Sequence, residues 1–244
     1  MIFLIFILGL IVGSFLNAVI YRLHSGESII KARSHCVKCG HVLSWYELVP
    51  VLSFVLQAGK CRACKDRISF HYPAVELATA SVFAAVLYYN LPLPYTLTIS
   101  SFLIAIFVYD LKHYIIPDKI IYPAILLSGI WRLAFSDELL SSVYAGLTAS
   151  VFFALIFFVS RGKWLGFGDV KLAFFMGLFL GWPNIAIALF AAFVLGGIVG
   201  IGLVGLHLKT MRSQVPFGPF LVTGTFIALF WGREITEWYL NLLI

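Results

Sequence analysis

Charge is what this chain has least of. Only 11% of its 244 residues are Asp, Glu, Lys or Arg, whereas 61% are hydrophobic. An ordinary soluble domain is about 45–50% apolar and roughly a quarter charged, so that class is excluded. Acidic side chains are scarcest, 11 against 17 basic ones. Cysteine is confined to four positions between residues 36 and 64. Repeats of fixed period and low-complexity tracts are missing, which argues against a solenoid or a disordered tail. A glycine-rich nucleotide loop of the common soluble type is missing too. The first apolar run has no basic residue before it and no small-residue cleavage site after it, so it is expected to be a retained anchor rather than a secretory signal.

What fills the chain instead is apolar runs, many of them about 17–25 residues long and so able to cross a bilayer as helices. Eight are legible, at 1–21, 74–91, 95–111, 117–134, 139–160, 169–182, 184–206 and 217–240. The expected fold is an all-α polytopic membrane protein of about eight transmembrane helices. A small cytoplasmic zinc-binding loop module sits between helices 1 and 2. The sixth run is short and suits a tilted or partly buried half of a hairpin with the seventh. The expected organisation is a first helix at 1–21, the module at 22–73 and a membrane-embedded core at 74–244.

The net charge of +6 matters through its placement. Alternate loops at 22–73, 112–119, 161–168 and 207–216 hold nearly all the basic residues, among them Arg33, Lys65, Lys112, Lys163, Lys209 and Arg212. The opposite side has little beyond Arg132 and Arg233, and its short loop carries Asp137 and Glu138. The positive-inside rule then puts both termini outside and the long loop in the cytoplasm. Topology accounts for the basic excess, so no nucleic-acid partner is expected.

The module's cysteines form two knuckles, Cys36-Val-Lys-Cys39 and Cys61-Arg-Ala-Cys64. Paired CxxC turns at this separation suit tetrahedral zinc, because each turn aims two thiolates at one ion. Disulfides are the rival reading, which cytoplasmic placement disfavours. A four-thiolate site is closed to substrate, so its expected role is structural. Lys38, Arg62 and Lys65 are close enough in sequence to offset thiolate charge. His24, His35, His41 and His71 are read as solvated or interfacial rather than as metal ligands.

Two aspartates stand at membrane boundaries, where ionisable groups mark functional sites. Asp110 ends the run SFLIAIFVYD, and Asp169 closes GFGD (166–169). Asp110 falls at a helix C-terminus, where the dipole disfavours an anion, a place suited to the proton-holding member of a pair. Asp169 could equally be a helix cap. Both fall on the cytoplasmic boundary, so packing can bring them together as a pair that activates water, the logic of an aspartyl protease. Asp118, after Pro117, has a sufficient explanation as a helix-start acid. Lys112 and Lys171 are read as boundary anchors able to tune a carboxylate.

At these residues the chain resembles a known family, the type IV prepilin peptidases, bifunctional leader peptidases and N-methyltransferases among the GxGD aspartyl proteases. The resemblance runs nearly end to end through five blocks: GSFLNAVIYRL (13–23), the cysteine block at 34–77, YDLKHYIIPD (109–118), GFGDVKL (166–172) and PFGPFL (216–221). His24 and Val37 stand where the family commonly has Pro. The archaeal preflagellin peptidases share the GxGD core but lack the cysteine module, so that module resembles the bacterial bifunctional type.

The resemblance implies a multi-pass enzyme of the bacterial inner membrane. It would remove the basic leader of prepilins or pseudopilins after a Gly on the cytoplasmic side, then methylate the new amino terminus from S-adenosylmethionine. Asp110 and Asp169 match the catalytic aspartates, and Cys36, Cys39, Cys61 and Cys64 match the metal-binding set. The module is a candidate place for the methyl donor, whose site the sequence does not locate; Glu47, Lys60 and Glu76 are polar residues there that could equally be boundary anchors or module braces. Two other readings compete: a peptidase without methylation, and a non-enzymatic transporter with a zinc-braced loop. The transporter predicts charges near mid-membrane, where only Glu76 comes close.

Overall fold

Helices carry the architecture. The computed structural model describes residues 1–135, 138–206 and 215–243; Asp137, Lys209 and Arg212, used above to orient the chain, lie outside the described residues. The elements are α1 (Ile2–Ser25), a short α2 (Leu52–Leu56), α3 (His71–Tyr88), α4 (Leu93–His113), α5 (Asp118–Phe135), α6 (Leu139–Ser160), α7 (Phe167–Leu180), α8 (Asn184–Gly205) and α9 (Gly218–Leu243). Among the described residues there is no β-strand, only the isolated bridges His35–Val42 and Lys60–Arg67.

Each of the eight apolar runs is a helix, but four of them, α1, α4, α6 and α8, are long and apolar enough to cross a membrane. α7 has 14 residues, about 21 Å at 1.5 Å per residue, short of the ~30 Å hydrocarbon core. Its surroundings explain how so short a helix is held: Leu172, Ala173, Phe175 and Met176 are fully buried in protein. α8 is the opposite case, with Phe190, Val194, Ile198 and Ile201 exposed. Apolar surface of that kind is stable against lipid and costly in water.

The chain divides into two compact units, Met1–Ala105 and Ile106–Ile244. In the first, α1 lies on α3 through Gly9 and Gly13. A Cβ added at Gly9 would stand 2.5 Å from Ala80 Cα, and one at Gly13 would stand 2.7 Å from Glu76 Cα. This is the small-residue spacing that lets membrane helices approach backbone to backbone. Asn17 Nδ2 donates to the Tyr72 carbonyl at 3.0 Å, so the buried polar group on this seam is satisfied.

In the second unit α7 is the core. Arg132 of α5 reaches its C-terminus, where Nε donates to the Leu178 carbonyl at 3.2 Å and Nη2 donates to that of Phe179. Carbonyls at a helix end lack intrahelical partners, and an arginine there supplies both donors and favourable charge.

Candidate active site and metal centre

The two cysteine knuckles are built alike. In the first, Gly40 N–H donates to the Cys36 carbonyl (2.9 Å), Cys36 N–H to that of His41 (2.9 Å) and Leu43 N–H to that of Ser34 (2.8 Å). In the second, Lys65 N–H donates to the Cys61 carbonyl (2.9 Å), Cys61 N–H to that of Asp66 (2.8 Å) and Ile68 N–H to that of Gly59 (2.7 Å). The turn needs a left-handed residue after the second cysteine: Gly40 takes φ 71°, and Lys65 takes φ 61° despite its side chain. This structural duplication is invisible as a sequence repeat because only the cysteines and the hydrogen-bond pattern recur.

The knuckles bring all four sulfurs within 4.8 Å of one another, with Cys36 and Cys64 Sγ 3.9 Å apart. Tetrahedral Zn–S bonds of about 2.3 Å place sulfurs about 3.8 Å apart, so the donor set and its spacing fit zinc. None of the four forms a disulfide. The backbone N–H of Cys39 is the largest influence on the Cys36 thiol, which is lowered to about 7. At Cys64 the Asp66 N–H pulls downward, but burial and the three neighbouring sulfurs push the thiol up to about 12. Sulfurs at this spacing can all be thiolates only with a cation among them.

The module's other polar residues are occupied elsewhere. His35 Nε2 lies 3.8 Å from Glu27, and His41 Nε2 lies 3.5 Å from Glu47 Oε2. Neither histidine joins the sulfur cluster, whose members among the described residues are cysteines only. Lys38 Nζ is 3.7 Å from Asp66, and Arg62 lies over the Tyr46 ring at 5.2 Å. Glu47 Oε2 accepts from Ser44 N–H at 2.9 Å. Glu76 Oε2 accepts from Val51 N–H at 2.7 Å, and Ser14 also hydrogen-bonds the Glu76 side chain. Lys60 is exposed. Glu47 and Glu76 thus each brace the module's backbone through one oxygen, while Glu47 Oε1 is buried without a hydrogen-bond partner among the described residues.

The aspartates belong to the second unit. Asp110 occupies the last turn of α4 and Asp169 the first turn of α7, and they are 5% and 7% exposed. They are close enough for the charge of Asp110 to act on Asp169. Their donors are backbone groups: Gly218 N–H for Asp110, and Gly166 N–H, at 3.0 Å, for Asp169 Oδ2. Asp169 therefore caps the start of α7 through Gly166.

The glycines act by proximity. Gly166 has an ordinary φ of −79°, so no unusual dihedral is involved. A Cβ at Gly168 would come 3.0 Å from Ile116 Cβ, and one at Gly218 would come 2.5 Å from Asp110 Oδ2. Gly218 is the residue that reading the sequence passed over, since PFGPFL offered a pattern and no role. Gly218→Ala should displace the Asp110 carboxylate on an ångström scale, a shift that at a reacting group lowers turnover about 100-fold. Steady-state cleavage by the purified variant checks this, and unchanged turnover would remove Gly218 from the site.

Comparison with known proteins follows the same division of the chain. Residues 7–90 match the family model described as "Bacterial Peptidase A24 N-terminal domain", and residues 97–201 match that of the "Type IV leader peptidase family". A Bacillus subtilis protein named prepilin leader peptidase/N-methyltransferase is 35% identical over the whole of both chains. One of the same name from Pseudomonas putida is 32% identical over 97% of this chain and 93% of its own. One from Pseudomonas aeruginosa is 29% identical over 96% and 92%. No solved structure matches.

Proposed function

This chain belongs to the type IV leader peptidase family, and from that premise we propose that Asp110 and Asp169 are its catalytic pair. The enzyme cleaves the leader peptide from prepilins and N-methylates the exposed amino terminus. The observation that carries the assignment is two buried carboxylates in one unit, near enough for the charge of one to act on the other and each held by a glycine N–H.

In this mechanism one carboxylate is ionised and the other protonated, the division of labour that interacting carboxylates favour. The ionised member takes a proton from water as its oxygen attacks the scissile carbonyl. The protonated member first donates to the carbonyl oxygen. As the tetrahedral intermediate collapses, a proton passes to the leaving nitrogen and the pair regains its starting state. No covalent intermediate and no nucleophilic cysteine is needed.

The four cysteines would hold one structural zinc, which supplies folding energy to the module and takes no part in proteolysis. S-adenosylmethionine is the methyl donor in this reading, since N-methylation of an amine draws on an activated methyl group of that class. The substrate is a prepilin or pseudopilin whose own helix lies in the lipid and brings its cut site to the boundary where the aspartates sit. We assign the protein to the bacterial inner membrane, with eight spans, residues 22–73 as the cytoplasmic module and 74–244 as the protease core. The short α7 is a span wrapped in protein rather than lipid.

Two measurements test this. The purified protein, given candidate prepilins and labelled S-adenosylmethionine, should release the leader at one Gly bond and label the new amino terminus; mass spectrometry reads both. Cleavage without label would leave a peptidase alone, and neither product would favour the transporter. For orientation, accessibility at Arg33, Lys163 and Arg212 should be cytoplasmic and at Asp137 external. A cytoplasmic Asp137 would overturn the eight-span topology.

A further inference from the structure

The connection between α4 and α5 does more than join them. It starts beneath Asp110, where Tyr114 N–H donates to the Asp110 carbonyl at 2.8 Å and Tyr114 takes φ 59°. Two residues on, Ile116 is 7% exposed and packs against both glycines that matter to the aspartates. A Cβ at Gly168 would meet Ile116 Cβ at 3.0 Å, and one at Gly218 would meet Ile116 Cδ1 at 3.5 Å. The segment ends at Asp118, the first residue of α5.

Asp118 is not only a helix-start acid. Its Oδ1 lies 2.5 Å from Nζ of Lys171, which stands on α7 two residues beyond Asp169. The same ammonium stands over the rings of Tyr122 and Phe167, at 5.1 and 5.3 Å. The lysine side chain is 18% exposed and that of Asp118 58%. A surface ion pair of this kind adds little to stability. Its position gives it another role, because it ties the far end of the segment to the helix that carries Asp169.

We propose that Lys171, through Asp118, is a positioning residue for proteolysis. It holds the 114–118 segment so that Ile116 stays seated against Gly168 and Gly218, which fixes the separation of Asp169 and Asp110. The proposal rests on reading those two aspartates as the catalytic pair. It uses the ammonium as a tether, and the lysine touches neither the substrate nor the reacting atoms.

The test uses the full-length enzyme in detergent or lipid, with a prepilin substrate. Lys171→Met keeps the apolar stem and removes the ammonium; Asp118→Asn alters an exposed side chain and keeps its shape. Each should lower kcat for leader cleavage about 10–100-fold with KM unchanged. Methylation of an already cleaved substrate and the thermal unfolding midpoint should stay as in the parent. Since the two act as one device, the double variant should be no worse than either single one. Lys171→Arg should retain most of the turnover. Parental kcat in both single variants, losses that add in the double, or a joint fall of cleavage, methylation and melting point would each overturn the proposal. Asp110→Asn in the same assay separates this from the underlying assignment: if it still cleaves, the catalytic pair itself is wrong whatever Lys171 does.

Discussion

Asp110→Asn and Asp169→Asn should each abolish leader cleavage while leaving methylation intact. Both substitutions keep the shape of the side chain and one hydrogen-bonding oxygen, so Gly218 N–H and Gly166 N–H retain an acceptor. What is lost is the shared proton. Without it one member can no longer take a proton from water, or the other can no longer give one, and general acid–base catalysis of this kind is worth about 10²–10⁴-fold for each group. A fall on the order of 10³–10⁴-fold in kcat/KM is expected for either variant. Because the pair works as a unit, the double variant should be barely slower than the worse single one. Methyl transfer to an amine requires no activated water, so a pre-cleaved substrate should be methylated at the parental rate. Quantitative cleavage and labelling assays on the same preparations give both readings. Cleavage surviving in either Asn variant would remove that residue from the pair.

How much of this was open to reading in the sequence depends on the range of the interaction. Helices announce themselves through runs of apolar residues, and all eight runs are helices in the structure. The CxxC knuckles are equally local, since each turn is closed by bonds between near neighbours. Asp110 and Asp169 stood out because ionisable groups are scarce in such a chain and both fall at helix ends.

What stayed hidden is contact between helices. Nothing in the periodicity says that Ile116 meets Gly168 and Gly218, or that Lys171 reaches Asp118 across 53 positions of sequence. Glu47 and Glu76, polar amid apolar neighbours, could be read equally as binding residues or as braces. Their backbone acceptances from Ser44 and Val51 became visible only once the module was folded. The shortness of α7 was legible, but the reason it suffices was not: burial by neighbouring helices replaces contact with lipid.

Removing zinc should unfold the cysteine module and leave the membrane helices standing. Between residues 23 and 72 only Glu47 and Cys61 are buried, at 7% and 3% exposure. A stretch of that length with two buried side chains has no hydrophobic core, and small domains in that position depend on a metal or on disulfides. The four free cysteines and their spacing point to the metal. Structural zinc in comparable small modules contributes about 10–16 kcal/mol to folding, far more than the two isolated bridges and the loop hydrogen bonds can offer. Elemental analysis should find about one zinc per chain. Stripping it with a strong chelator, or replacing Cys61 by Ser, should open the segment from Ser34 to Ile68 to limited proteolysis. The α1–α3 pair should hold, because Gly9, Gly13 and the Asn17–Tyr72 bond lie outside the module's metal centre. Leader cleavage should outlast the loss of the module's protection, since Asp110 and Asp169 take their supports from Gly218 and Gly166. A metal-free, fully reduced protein that resists proteolysis across this segment would show that zinc is not its core, and stoichiometric disulfides in protein purified with metal present would replace the zinc site altogether.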